Sequence, residues 1–256
     1  MDNVSREYMI KLLEKGKRID GRKFDELRKV EINYEISKHA EGAARVKIGS
    51  TEVIVGIKLE VGEPFPDNPD EGTIIVGAEM LPLSSPDFES GPPSVDSIEL
   101  ARVVDRAIRE SKAIDFKKLC IKEGEQVWMV LIDIYTINDD GNLQDASALA
   151  ALAALKQTKI PAYDGKKVDY SKRISRLPIV SMPVECSVVK IKDKLLSDPC
   201  RDEEKVMDAR LTIGITEDNN ICAMQKSGKG VLKPEDISEI IDVSLKNGEK
   251  LRKLLK

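Results

Sequence analysis

The sequence predicts an α+β fold in which mixed sheets pack against helices. Short segments with alternating or continuous apolar residues are typical of strands, and longer segments have the three-to-four-residue apolar spacing of amphipathic helices. These segments follow one another without the regular strand–helix–strand alternation of a parallel fold. No dinucleotide-binding fingerprint is present either, so a mixed architecture is favoured over a doubly wound one.

The first half of the chain contains most of the predicted strands. Periodicity and capping residues predict, in order, a helix at 5–15, a strand at 29–37, a hairpin of 43–48 and 51–61, a strand at 73–83, a helix beginning after Ser94 or Ser97 and ending at Ser111, a strand at 126–137 and an Ala- and Leu-rich helix ending near Lys156. The long strand thus leads directly into the most apolar helix of the chain.

The second half is expected to repeat this mixture on a smaller scale. Strands are predicted at 179–191, 208–215 and 221–226, followed by a helix from Pro234 to about Leu255. The polar segment 161–177 is expected to be irregular and to join an N-terminal half, about 24–160, to a C-terminal half, about 178–256. Both halves belong to one predicted domain spanning 1–256.

Composition and charge limit the classes of function. Hydrophobic residues make up 41% and charged residues 34% of the 256 residues, which is typical of a soluble globular protein. No apolar run approaches the roughly 20 residues that span a bilayer, and the first residues lack signal-peptide features, so we expect a cytoplasmic protein with no membrane partner. The formal net charge of −4 restricts any nucleic-acid contact to a local basic cluster or a shared surface.

The sequence gives little support for a metal site or for a catalytic nucleophile. His39 is the only histidine, and the four cysteines (Cys120, Cys186, Cys200 and Cys222) have no C-x-x-C spacing. A histidine-based zinc site is therefore excluded, no metal is expected, and a Ser-His-Asp or Cys-His mechanism would depend on His39 alone.

The strongest local signal is the turn between the long strand and the Ala- and Leu-rich helix. It reads Asp-Asp-Gly-Asn-Leu-Gln-Asp-Ala-Ser from Asp139 to Ser147. A strand, a turn with Gly141 and a helix N-terminus can bind a phosphate through backbone N–H groups. A close-packed structural turn explains the same residues, so the pattern alone leaves both interpretations open.

Two charged groups are further candidates. Arg102, Arg106 and Arg109 have the spacing of one helix face, which fits either a solvated, ion-paired surface or a ridge that contacts phosphates. Asp202 and Asp208 are six residues apart, and two carboxylates in one pocket can assist acid–base chemistry or bind a cation. The acidic run at 202–204 is equally typical of a solvated surface.

Several motifs in the same order resemble the RNase PH superfamily. They are Arg-Ile-Asp-Gly-Arg at 18–22, Gly-Ala-Ala-Arg-Val-Lys-Ile-Gly-Ser-Thr-Glu-Val at 42–53, Glu-Leu-Ala-Arg-Val-Val-Asp-Arg at 99–106, and the Asp-Gly and Ala-Ser pairs of the turn. With Leu-Pro-Leu at 81–83, Gly-Pro-Pro at 91–93 and Gln-Lys-Ser-Gly at 225–228, the chain is most similar to the non-catalytic RNase PH-like ring subunit of the archaeal exosome. The resemblance covers about residues 8–250 and implies the RNase PH-like (ribosomal protein S5 domain 2-like) fold.

The resemblance also implies a function. Three copies would alternate with three catalytic RNase PH-like exosome subunits in a ring, a trimer of heterodimers that degrades single-stranded RNA from the 3′ end by phosphorolysis. This chain would shape the partner's active site without being an enzyme, and RNA-binding cap proteins would complete the assembly. No cofactor is implied for this chain; inorganic phosphate, with Mg²⁺ as a further candidate, would be used at the partner subunit.

The turn departs from the sequence of active family members, Asp-Gly-Gly-Thr-Arg-Thr-Ala-Ser. After Gly141 this chain has Asn142, Leu143, Gln144 and Asp145, which predicts a degenerate phosphate loop. The arginine and the hydroxyl groups are lost, and we expect the Asp145 carboxylate to repel an anion. At about 4 Å and an effective dielectric of about 20, this repulsion costs about 4 kcal/mol, roughly a thousandfold in binding.

The remaining candidates are interpreted through the same resemblance. Asp208 matches the family's catalytic aspartate and Asp202 a second acidic position; without bound phosphate both are expected to be vestigial. Arg102 and Arg106 match positions that contact RNA, whereas Arg109 is a candidate from spacing alone. An active phosphorolytic exoribonuclease using Asp202 and Asp208, and a purely architectural ring subunit, are the alternatives.

Overall fold

The computed structural model describes residues 3–34 and 36–255 and contains one mixed and one antiparallel layer of strands, with helices between and around them. The helices are α1 (Asn3–Glu14), α2 (Val95–Glu110), α3 (Leu143–Gln157), α4 (Arg201–Val206) and α5 (Pro234–Arg252). The strands are β1 (Val30–Tyr34), β2 (Gly42–Ile48), β3 (Thr51–Gly62), β4 (Thr73–Met80), β5 (Cys120–Lys122), β6 (Gln126–Asn138), β7 (Lys159–Tyr163), β8 (Val168–Arg176), β9 (Val184–Ile191), β10 (Lys194–Ser197), β11 (Ala209–Ile215) and β12 (Ile221–Ser227). The predicted α+β class is confirmed, and Glu35 of the predicted strand 29–37 lies outside the described residues.

The first sheet has the strand order β1-β2-β3-β6-β4, with β5 added to β6. All neighbours are antiparallel except β4 and β6, which run parallel with Thr73 opposite Met129. The β2–β3 hairpin, in which Ile48 is paired with Thr51, turns at Gly49 and Ser50 as the sequence predicted. This sheet carries β6 to the turn that precedes α3.

Helix α3 is the centre of the molecule. Every residue from Leu143 to Leu155 is buried, so the helix has no solvent-exposed face along that length. A helix that is buried all round needs apolar residues on every side, and its many alanines permit close approach of neighbouring elements. The helix packs on β2 and β3 of the first sheet and on β9 of the second. Its N-terminus is therefore held at the junction of the two sheets.

The second sheet is fully antiparallel, with the order β10-β9-β11-β12. Helix α5 packs on β9 and β11. Helix α1 contributes Met9, Ile10 and Leu13 to a smaller apolar cluster with Val189 and neighbouring residues of this sheet. Helix α2 packs beside β4 and β12 and so bridges the two sheets. Within the described residues, no helix has both the length and the apolar character needed to cross a bilayer.

The prediction of an irregular joining segment at 161–177 is wrong. Strands β7 and β8 form a two-stranded antiparallel sheet, with Lys159 opposite Arg176 and Tyr163 opposite Val168. Asp164 and Gly165 form the turn, with the Asp164 carboxylate accepting from the backbone N–H of Lys166 and Lys167. The polar composition of β8 concealed it, because its outer side chains lie on the surface and lack apolar alternation.

Sequence reasoning also missed short elements around the C-terminal half. Strand β10 and the six-residue helix α4 were not predicted, and a solvated surface was one of two interpretations of the acidic run at 202–204. Glu203 is instead fully buried in an ion pair with Arg18, at 2.6 Å. The motif at 18–22 is therefore in part a structural anchor, because the Arg18 side chain is fully buried. The cysteines are free thiols, with Cys186 and Cys200 buried and Cys120 and Cys222 half-buried.

Candidate functional site

The turn before α3 has the backbone of a tight, close-packed connection. Gly141 has φ +82° and Asn142 has φ 59°, both in the left-handed region. A Cβ atom on Gly141 would lie 2.5 Å from the backbone nitrogen of Arg201, so the turn and the start of α4 touch through their main chains. The turn geometry that suits an anion site is therefore present, and α4 is pressed against it.

The carbonyl groups of the turn are held by Arg28. Its guanidinium donates to the carbonyl oxygens of Asp140, at 2.7 Å, and Gly141, at 3.1 Å. It also donates to both carboxylate oxygens of buried Asp198, at 2.7 and 3.0 Å. The Arg28 guanidinium helps to hold the pKa of Asp198 below its usual value against the opposing effect of burial. Sequence reasoning missed Arg28, which belongs to no local motif.

The N-terminal end of α3 already has an anionic acceptor from within the chain. The backbone N–H of Asn142 donates to Oε1 of Glu204, at 3.0 Å. The same oxygen accepts from Arg210, at 3.3 Å. Burial raises the pKa of the Glu204 carboxyl. A carboxylate of α4 thus occupies a donor that a bound phosphate would need.

Asp145 does not face the cleft as we expected. It is buried, with Oδ2 accepting from the backbone N–H of Ser187 at 3.0 Å and from the Asn142 side chain at 2.9 Å. Burial raises the pKa of Asp145 to about 7. The side chain points into the protein and is partly protonated at neutral pH. The prediction that Asp145 repels a bound anion by about 4 kcal/mol is therefore wrong.

A chain of hydrogen bonds joins Asp145 to Gln144. Ser187 Oγ contacts Asp145 Oδ1 at 2.7 Å and Thr212 Oγ1 at 2.8 Å. Thr212 Oγ1 in turn donates to Gln144 Oε1, at 2.6 Å. The Gln144 amide nitrogen faces Glu99 of α2, at 3.5 Å. The residue that replaces the family's arginine is therefore tied to the interior and to the helix that carries the arginine stripe.

The cleft in front of Leu143 and Gln144 is acidic. It has a volume of about 260 Å³ and is lined by four carboxylate residues, with Arg210 as its only cationic residue among those described; the carboxylates are Asp96, Glu99, Asp139 and Glu204. Arg210 is itself paired with Glu99, at 3.5 Å, and with Glu204. An anion here would meet several carboxylates without a free cation, so the charges of the cleft disfavour phosphate. These carboxylates belong to three separate segments of the chain, so the sequence did not predict that they share one cleft.

Asp202 and Asp208 do not form a pair. Asp208 Oδ1 is bound by Arg6 of α1 and Oδ2 by the backbone N–H of Lys192, each at 2.6 Å. Asp202 is exposed on α4 and lines a separate shallow cleft with Asp140 and Arg28. The two carboxylates have different neighbours, and Asp208 does not line the cleft that contains Asp202. No group of three or more His, Cys, Asp or Glu side chains in residues 3–34 and 36–255 is arranged to hold a metal.

The arginine stripe on α2 is divided. Arg109 is paired with Asp105, at 2.7 Å, and donates to the carbonyl oxygen of Ile74, at 3.1 Å. The pKa of Arg109 is raised by its hydrogen bond to Asp105. Arg102 and Arg106 are exposed and form no ion pair with another described residue. Two of the three predicted guanidiniums are thus free to meet an external anion, and one is engaged within the chain.

Family models and curated relatives match the chain over most of its length. Residues 26–161 match the model of the 3′ exoribonuclease family, domain 1, and residues 181–247 match that of domain 2. The exosome complex component Rrp42 of Archaeoglobus fulgidus is 51% identical over 254 residues, covering 99% of this chain and 96% of the relative. Rrp42 of Thermococcus kodakarensis is 45% identical over 266 residues, covering 100% and 96%.

Solved structures share the fold. A chain of the Archaeoglobus fulgidus exosome with RNA bound to the active site has a TM-score of 0.93 and 50% identity, covering 99% of this chain and 98% of that one. Rice Rrp46 has a TM-score of 0.72 at 17% identity over 93% and 98% of the two chains, which supports the fold alone. Both family domains and full-length relatives therefore agree with the arrangement of sheets around α3, and the chain belongs to the RNase PH, or 3′ exoribonuclease, family.

Proposed function

We propose that this chain is a non-catalytic subunit of an archaeal exosome core, a phosphorolytic 3′–5′ exoribonuclease ring. Its full-length relatives are named exosome complex component Rrp42, and a chain of 48% identity belongs to an archaeal exosome core. The hydrogen bond from the Asn142 N–H to the Glu204 carboxylate is the main support for a non-catalytic role. A helix N-terminus that gives this donor to the chain's own carboxylate, in a cleft of further carboxylates, is unfavourable for binding an attacking phosphate.

In this proposal the chain alternates with a catalytic RNase PH-like partner, shapes that partner's active site and contacts single-stranded RNA. Arg102 and Arg106 supply the contact, because they are exposed, unpaired among the described residues and on one face of α2. Arginine matches phosphate oxygens well, and such contacts hold RNA of any sequence. Arg109 is not assigned an RNA contact, because its guanidinium is paired with Asp105 and donates to the Ile74 carbonyl oxygen. Inorganic phosphate and Mg²⁺ would act at the partner, cap proteins would recruit RNA, and we expect a cytoplasmic complex.

The catalytic question is tested with the chain alone, the partner alone and the reconstituted mixture. Each sample receives single-stranded RNA with and without inorganic phosphate, and nucleoside diphosphates are measured. We expect phosphate-dependent release only when the partner is present and the highest rate from the mixture. Robust release by this chain alone would refute the proposal. Native mass spectrometry of the same samples shows whether the mixed ring has formed.

The RNA contact is tested in the assembled ring with Arg102→Glu together with Arg106→Glu. RNA affinity should fall at least tenfold, while the mass of the ring stays unchanged. The control is Lys117→Glu together with Lys118→Glu, which changes the charge equally at exposed residues 117 and 118. Equal effects of the two double variants would mean that net charge alone is responsible. Unchanged binding in the arginine variant would favour a purely architectural subunit.

The alternative of an active enzyme using Asp202 and Asp208 receives less support. The Asp208 carboxylate is held by Arg6 and Lys192, and Asp202 lines a different cleft. General acid–base catalysis needs a carboxyl within hydrogen-bonding reach of the reacting group. A carboxylate bound on both oxygens and separated from its proposed partner is poorly placed for that role.

A further inference from the structure

The hairpin of β7 and β8 is a basic segment of an acidic chain. Between residues 159 and 176 it contains six Lys or Arg residues and two Asp residues, a net charge of +4 within a chain of formal net charge −4. Residues 164–167 and 174–176 are exposed. This concentration of positive charge is separate from the arginine stripe, and neither the cleft nor the family motifs account for it.

Four of the six cations lack a counter-ion. Lys172 is paired with Asp169, at 3.3 Å, and Arg173 with buried Glu41, at 2.8 Å. The four others are exposed and form no ion pair with any residue in the described parts of the chain; they are Lys159, Lys166, Lys167 and Arg176. Asp164 is close in sequence to two of them, but its carboxylate is bound by backbone N–H groups in the turn. The hairpin therefore presents positive charge that the fold does not neutralise.

The pairing of Lys159 with Arg176 shows that this charge opposes hairpin stability. The two residues are directly opposite in the antiparallel register, so their side chains lie on the same face of the sheet. Like charges at directly opposed positions repel and destabilise a strand pair. An external anion between them would remove the repulsion. Lys166 and Lys167 add exposed positive charge at the turn, which lies at the other end of the five-residue strand β7.

We propose that the β7–β8 hairpin binds the phosphate backbone of single-stranded RNA as a second contact surface. The inference rests on the proposed function, because it assigns a further part of the RNA path to the same subunit. Three of the four free cations are lysines, which are depleted in protein interfaces and common in contacts to phosphates. Two exposed apolar residues of β8, Tyr170 and Ile174, are the features that a protein partner would use instead. The four unpaired cations outweigh these two residues.

The test uses the assembled ring carrying Lys159→Gln together with Arg176→Gln. RNA affinity is measured with a labelled single-stranded oligonucleotide at several salt concentrations. We expect affinity to fall several-fold and the slope of log affinity against log salt to decrease by about 1.4, since each contact with a single strand contributes about 0.7. The melting temperature should stay the same or rise, because the substitution removes a like-charge pair. A folding defect would instead lower it.

The matched control is Lys38→Gln with Lys246→Gln, which removes the same charge at two exposed lysines outside the hairpin that form no ion pair with a described residue, and it should leave the salt slope unchanged. A hairpin variant with wild-type affinity and slope would overturn the inference. Loss of the ring in native mass spectrometry would also overturn it, since the hairpin would then be a protein interface. Different results would contradict the proposed function. They are release of nucleoside diphosphates by the chain alone, and unchanged RNA affinity in the Arg102 and Arg106 variant.

Discussion

The backbone N–H of Asn142 and the carboxylate of Glu204 form a hydrogen bond of 3.0 Å that closes the N-terminal end of α3. In an anion-binding turn this N–H would point at the ligand. Here α4 places a side chain of the protein there, with Arg210 contacting the same oxygen. The turn keeps the left-handed backbone of a phosphate site while its donor and its charge are used internally. The turn therefore has the backbone geometry of a phosphate site without the free donor and the charge that would bind phosphate.

The first prediction concerns phosphate. The isolated chain should show no saturable binding of inorganic phosphate in the millimolar range, because carboxylates dominate the cleft. Replacing Glu204 by Gln and Gln144 by Arg keeps an acceptor for Asn142, removes one negative charge and adds one positive charge. Binding should strengthen by more than about tenfold, since each charge contributes at least about 1 kcal/mol at such distances. Phosphorus NMR linewidths during a titration measure the effect.

The control for that experiment is a variant with Glu235→Gln and Glu239→Lys on the exposed side of α5, which changes the net charge by more than the test variant does. It should leave the phosphate linewidth unchanged. If the wild-type chain binds phosphate with a saturable isotherm, or if both variants respond equally, the explanation of the turn through Glu204 is wrong.

The second prediction concerns the buried ion pair of Arg18 and Glu203. Both side chains are fully buried, and Arg18 also donates to the carbonyl oxygens of Ser197 and Asp198, at 2.9 and 3.0 Å. Arg18→Met leaves a buried carboxylate without its partner, so the free energy of unfolding should fall by about 3–5 kcal/mol. Chemical denaturation of the isolated chain measures this change.

A double variant with Arg18→Met and Glu203→Leu should recover part of the loss, because it removes the unpaired charge as well. The exposed pair of Lys29 and Glu31 is the matched comparison. Lys29→Met should cost far less than Arg18→Met, as is usual for an exposed ion pair. Equal costs for Arg18→Met and Lys29→Met would contradict the anchoring role.

Strongly patterned elements of the fold could be predicted from the sequence. The β2–β3 hairpin, α2 with its Ser94 cap, and the β6–α3 connection follow from apolar periodicity and turn residues, which act locally. Strand β8 could not be predicted, because its exposed, charged side chains give no alternation. The degenerate character of the turn was visible in Leu143 and Gln144, since these are substitutions in a recognisable motif.

The partners of the site residues depended on the tertiary structure. Glu204 reaches Asn142 from a helix 62 residues away in the chain, and Arg28 reaches Asp198 from 170 residues away. Nothing local marks such pairs. The inward orientation of Asp145 likewise follows from the approach of β9, which supplies the Ser187 N–H and hydroxyl. Sequence spacing predicted which residues were unusual, and long-range packing decided what each of them contacts.

The third prediction concerns the two aspartates. In the reconstituted ring, Asp208→Asn and Asp202→Asn should each leave phosphorolytic turnover within about twofold of the wild-type rate. Asp208 lies between Arg6 and Lys192, so its loss should lower stability by less than about 1 kcal/mol without touching the reaction. Release of nucleoside diphosphates from labelled RNA gives the rate. A loss of a hundredfold or more, as is typical of a general acid or base, would identify this chain as catalytic.

The fourth prediction concerns the proton on Asp145. Three oxygen–oxygen contacts of 2.6–2.8 Å link Asp145, Ser187, Thr212 and Gln144 in series. The two hydroxyl groups supply one hydrogen each, and Gln144 Oε1 supplies none. All three contacts are hydrogen bonds only when the carboxyl of Asp145 donates the third hydrogen. The arrangement agrees with a pKa of about 7 for this buried group.

A pKa raised from 3.8 to about 7 makes folding depend on pH. The folded chain binds this proton more tightly than the unfolded chain, so the contribution is complete below about pH 4 and is lost as the pH rises to about 7. Between pH 5 and 8 the free energy of unfolding should fall by about 3 kcal/mol from this group, at about 1.4 kcal/mol per pKa unit. Denaturant unfolding across this range measures the slope.

Asp145→Asn imitates the protonated carboxyl, because its amide oxygen can accept from Ser187 N–H and Asn142 while its amide nitrogen donates to Ser187 Oγ. The variant should exceed the wild-type stability by about 1.5 kcal/mol at pH 5 and by about 4 kcal/mol at pH 8. Asp218→Asn, on the exposed turn after β11, controls for the loss of one carboxyl and should leave the wild-type profile unchanged. If the Asn variant is instead less stable than the wild-type chain at both pH values, Asp145 is needed as a carboxylate, and the hydrogen bonds to Gln144 must run in the opposite direction.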